Sequence, residues 1–96
     1  MTYGEVKATG AEILFDSYVG VPTDGWEEVS IDRLRSLSER AATQLQQPRT
    51  AREHAEAVTL QRSSAAAIQR AEAGNRVFTV EWDGERAFAA TKRPST

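Results

Sequence analysis

The residues able to do chemistry in this chain are few. It has 96 residues, with one His (His54) and no Cys. Neither a thiolate nucleophile nor a Cys/His zinc cluster is available. A Ser-His-acid triad would have to take His54 as its base, with Ser63 or Ser64 as nucleophile, and nothing resembles the G-x-S-x-G turn. His54 therefore reads as a surface or rim histidine. Carboxylates do occur in pairs, Glu27 with Glu28, Glu12 near Asp16, and Glu81 near Asp83. A hydrolase using two acids needs one of them in an apolar setting that raises its pKa, and acids in turns and loops read as solvated. Asp24-Gly25 is too short and too poor in acids for a calcium loop. Neither G-x-G-x-x-G nor G-x-x-x-x-G-K occurs, so no phosphate cradle is expected. No catalytic residue, metal or cofactor is assigned, and the chain is expected not to be an enzyme.

Two features suit binding better. In a continuous helix over residues 50–73, Arg52, Arg62 and Arg70 project within about 80° of one another. Such a stripe could meet phosphates or an acidic protein surface, and its bland reading is a solvated face. The same helix has a second face of small side chains, Ala57, Ser64, Ile68 and Ala71. Its only large apolar residues are Val58, Leu60 and Ile68, so it buries little area alone. The small face is accordingly expected to be a helix–helix contact in a homo-oligomer.

These residues sit in a short, mildly acidic chain. Its mass of 10.6 kDa argues for one domain, taken as residues 1–91 with a polar tail at 92–96. The net charge of −2 hides an asymmetry: residues 1–30 carry six acids and one Lys, and residues 31–73 carry seven Arg and five acids. A sequence pI near 5.4 disfavours nucleic acid without excluding a local patch. Ten Arg against two Lys, with fifteen Ala, suggest GC-rich codons and hence a high-GC bacterium or its phage. There is no apolar run of membrane-spanning length and no signal-peptide pattern, so the cytoplasm is the expected location.

The elements that must position these residues can be read from pattern. Residues 2–8 alternate weakly and suggest a short strand, followed by a Thr9-Gly10 turn. Residues 12–21 alternate more clearly, with Ile13, Phe15, Val19 and Val21 on one face, which predicts an N-terminal β-hairpin. Pro22 to Gly25 reads as a loop, and Trp26 is expected to cover an edge. Ser30 is a good helix N-cap, Val29 and Leu34 fit a hydrophobic staple, and Ile31, Leu34, Leu37, Ala41 and Leu45 form an apolar stripe that Pro48 ends. Thr50 and Glu53 fit a capping box, and Gly74 is the natural stop of the second helix. A rival reading breaks that segment into a strand at Val58-Thr59-Leu60 and a helix capped by Ser63.

Residues 76–91 form the clearest hairpin, with Asp83-Gly84 as a two-residue type I′ turn. That turn sets Trp82 opposite Glu85, Val80 opposite Ala87 and Phe78 opposite Ala89. Large residues facing Ala leave room for a helix, so the Phe78, Val80 and Trp82 face is expected to meet the first helix. The fold class is α+β, a small antiparallel sheet with helices on one face.

Residues 58–91 resemble the DNA-binding module of Phd/YefM-type antitoxins. The matching stretch is Val58-Thr59-Leu60, then Ala65 to Glu72-Ala73-Gly74, then Val77-Phe78-Thr79 and Gly84 to Ala89. The resemblance implies dimerisation and operator binding. Two functions follow as expectations. One is a small non-catalytic protein-binding or assembly module, acting through contacts with itself or another protein. The alternative is an antitoxin-like transcriptional regulator that binds DNA as a dimer.

Overall fold

The computed structural model describes residues 1–14, 20–47 and 50–93. In chain order the elements are α1 (Tyr3–Ala8), β1 (Ala11–Ile13), β2 (Glu27–Val29), α2 (Ile31–Leu45), α3 (Ala51–Glu72), β3 (Val77–Trp82) and β4 (Glu85–Thr91). The strands form one antiparallel four-stranded sheet in the order β1-β4-β3-β2, so the fold is α+β. Expectations for Phe15, Val19 and Pro48, and for the end of the polar tail, lie outside the described residues.

Local chemistry explains most of the boundaries. Ser30 caps α2 by accepting the Arg33 N–H at 3.2 Å. Thr50 caps α3 by accepting the Glu53 N–H at 3.2 Å, and its hydroxyl in turn donates to the Glu53 carboxylate. α3 runs unbroken through residues 58–60, and the Ser63 and Ser64 hydroxyls donate to the Thr59 and Gln61 carbonyls inside the helix. It ends in a Schellman motif: Gly74, at φ +91°, donates to Ala71 O, and the Asn75 N–H donates to Arg70 O. The β3–β4 turn puts Asp83 at φ +45° and Gly84 at +81°, the type I′ geometry. The register sets Phe78, Val80 and Trp82 opposite Ala89, Ala87 and Glu85.

The N-terminus differs from expectation. Residues 3–8 form α1 rather than a strand, and β1 pairs with β4 instead of closing an N-terminal hairpin. The cause is a capping box: the Thr2 hydroxyl accepts the Glu5 N–H at 3.2 Å while Glu5 accepts the Thr2 N–H at 3.0 Å. Hydrogen bonds from Tyr3 N–H to Thr23 O and from Trp26 N–H to Met1 O then stitch α1 to the loop before β2.

The core lies on both sides of the β3–β4 hairpin. Val77–Val80 and Ala87–Thr91 are buried without a break. Phe78, Val80, Ala87 and Ala89 pack with Val6, Ala11 and Trp26. Val77, Phe88 and Ala90, on the other face, pack with Leu34 and Leu37 of α2 and Ala67 of α3. The two long helices thus cover the opposite face from the one expected. The depth that Ala87 and Ala89 leave beneath Phe78 and Val80 is filled by the Trp26 indole and α1. Trp26 is not an edge cover but a core residue, 1% exposed, with its Nε1–H donating to Pro22 O at 3.0 Å.

Two outcomes follow. Trp26→Ala should cost about 3–5 kcal/mol in urea unfolding, a large part of the ~5–15 kcal/mol typical of a domain. The Glu5 carboxyl is held below its ordinary value, chiefly by the Thr2 backbone hydrogen bond and then by the Thr2 hydroxyl. A depressed acid contributes stability above its unfolded pKa and loses it as pH falls through the folded value. The amide protection of α1 should therefore fall below about pH 4.5 in wild type and show no such acid step in Glu5→Gln, as read by hydrogen exchange.

Candidate functional site

The helices outrun the sheet. α3 has 22 residues, about 33 Å, whereas the six residues of β3 span about 20 Å. The cluster that joins α3 to the sheet starts at Leu60, so residues 51–59 reach past the strands. At that end Ala41 of α2 and Ala57 of α3 are both buried although neither belongs to the cluster on the sheet. The helical hairpin therefore overhangs the β3–β4 tip.

A cleft of about 270 Å³ lies beneath the overhang. Leu37 and Leu60 supply its apolar surface, Arg40 and Gln44 its α2 wall, and Glu56 and Thr59 its α3 wall. Glu81, Arg86 and the Gly84-Glu85 corner close it from the β-hairpin tip. Arg86 is the most constrained of these groups, with a side chain only 12% exposed. Its Nη2 binds Glu81 Oε2 at 2.8 Å and its Nη1 donates to Thr79 Oγ1 at 3.2 Å. The Thr79 hydroxyl in turn donates to Ala87 O at 2.9 Å, so this buried hydroxyl both accepts and donates. On the opposite wall Arg52 Nε binds Glu56 Oε1 at 3.1 Å. Arg40 has no hydrogen bond or ion pair among the described residues.

The binding residues expected from sequence fare differently. Arg52 is partly neutralised by Glu56, Arg62 is exposed and Arg70 is half-buried. Spread along roughly 27 Å of helix, the three do not converge on one point. The small face is largely occupied within the chain. Ala57 and Ser64 are buried within the chain, and Ile68 and Ala71 pack against the Leu34–Phe88 cluster. Within the chain, the small face gives close approach to α2 and β4.

Among the described residues, which exclude Asp16, the possible catalytic groups are not brought together. His54 is exposed, whereas Ser63 lies nine positions further along the same helix, roughly 14 Å away, buried and bonded to a carbonyl. Glu28 binds Arg76 at 2.6 Å, Glu12 binds Lys92 at 3.0 Å, and Asp83 occupies the exposed turn. Among the described residues no group of three or more His, Asp or Glu is placed to hold a metal ion. Nor is any described helix long and apolar enough to cross a membrane.

Sequence reasoning missed the cleft. Arg86 opposite Glu81 was implicit in the hairpin register, but Arg40 sits among the polar positions of α2 with nothing to single it out. The strand at 58–60 on which the antitoxin resemblance drew is a turn of α3. No family model, curated protein or solved structure matches the chain.

The Arg86 network makes an asymmetric prediction. Arg86→Ala should cost about 1–3 kcal/mol, through lost packing and a lost charged hydrogen bond. Glu81→Gln should cost less than about 1 kcal/mol, because Glu81 is 62% exposed and the pair is screened. Equal costs in chemical denaturation would show that the ion pair, not the seated guanidinium, carries the stability.

Proposed function

We propose that this chain is a small non-catalytic module that binds another protein through the cleft between the α2–α3 overhang and the β3–β4 tip, and that it works in the cytoplasm. The observation that carries the reading is the cleft's construction from three elements with both apolar and charged walls. At about 270 Å³ it falls just below the roughly 300–1,000 Å³ of clefts that enclose a whole small ligand. That size suits one or two anchoring side chains of a partner, the arrangement by which a few seated residues supply most of an interface's energy.

The proposal places the binding surface on the cleft rather than on the small face of α3. The small face of α3 is used internally, and Met1 is the one exposed large hydrophobic residue among those described.

Light scattering at high micromolar concentration should give a monomer, and a stable dimer would redirect the reading to self-assembly. Panning a random-peptide display library on the immobilised full chain should then enrich binders. Thr59→Phe, which fills the cleft with an aromatic ring, should abolish their binding while leaving the thermal unfolding transition cooperative. Enriched peptides indifferent to Thr59→Phe, or no enrichment, would overturn the proposal.

A further inference from the structure

We infer that the cleft is built for an acidic segment of a partner protein, one whose carboxylate meets Arg40 beside an aliphatic side chain seated on Leu37 and Leu60. The inference rests on the protein-binding reading and specifies its ligand chemistry.

The argument is one of charge accounting. Four charged side chains line the cleft toward its interior: Arg40, Glu56, Glu81 and Arg86. Glu85 also borders it, but Glu85 shares the pleat side of Ala87 and Ala89, whereas Arg86 shares that of Phe88 and Ala90, which face the helices. Strand alternation therefore sets Glu85 on the side of the hairpin opposite Arg86. Of the remaining four, Glu81 is held by Arg86 and Glu56 by Arg52. Both acids are therefore already paired within the chain, and the charged side chain on the wall without such a partner is Arg40. A guanidinium presents a planar fork of donors that matches a carboxylate in two parallel hydrogen bonds.

The floor decides between kinds of anion. A phosphate backbone would meet Arg40 but would gain nothing from Leu37 and Leu60, and the chain's net charge of −2 opposes polyanions at longer range. An Asp or Glu beside a Leu, Ile or Val uses both halves of the site.

The test reads the peptides selected by panning. Binders that Thr59→Phe eliminates should carry Asp or Glu within two positions of an aliphatic residue. Arg40→Glu, a surface change that should leave the melting curve intact, should weaken them at least tenfold and shift selection toward Lys- or Arg-bearing peptides. Cleft-dependent peptides without acids, or acidic peptides that bind Arg40→Glu equally well, would overturn this assignment while leaving the protein-binding reading in place. Failure to select any cleft-dependent peptide would remove both. A mixed-sequence DNA duplex that bound more tightly than the peptides, and lost binding in Arg40→Glu, would replace the acidic segment by nucleic acid.

Discussion

The rest of the molecule depends on the burial of the β3–β4 hairpin from both sides. An antiparallel pair in a small domain commonly faces water on one side. Here the cross-strand pairs combine a larger with a smaller residue: Phe78 with Ala89, Val80 with Ala87, Val77 with Ala90, and Thr79 with Phe88. Each small partner leaves depth that a neighbouring layer must fill. The Trp26 indole and Val6 fill it on one side, and Leu34, Leu37 and Ala67 on the other. Two modest cores thus share one pair of strands. This lets a 96-residue chain without disulfides bury a larger fraction of its apolar surface than one core would.

What the sequence disclosed was local. Ser30, the Thr50–Glu53 pair, Gly74 and Asp83-Gly84 each act through bonds within a few residues, so pattern alone located both long helices and the hairpin register. The same chemistry at Thr2 and Glu5 went unseen, because six residues are too few for a helical stripe and their weak alternation imitates a strand. The choice of face could not be read either. Residues 77–80 are apolar or β-branched on both sides, and period 2 says which residues travel together, not what covers them. For α3, small side chains foretold close packing but not that the neighbour would be the same chain. The cleft left no trace in pattern because it arises from a mismatch of lengths between helices and strands.

That mismatch gives the two ends of the sheet different characters. At one end the Schellman turn at Gly74 and the Arg76–Glu28 pair tie α3, β2 and β3 together, with the Arg76 guanidinium 5.1 Å above the Phe78 ring. At the other, helices and hairpin tip separate and polar side chains line the gap. The lateral edges are closed by different means. β1 and β2 are three residues each and carry Glu12, Glu27 and Glu28, so neither offers a long apolar edge to another chain.

The strand order also has a consequence for biosynthesis. β4 contributes to both cores and pairs with both β1 and β3, yet every other element precedes it in the chain. Until residue 91 leaves the ribosome, α1, Trp26 and the apolar face of the helical hairpin have no completed surface to close on. The Ala11–Thr91 pairing closes the longest loop in the sheet and so carries the largest chain-entropy cost of its strand pairings.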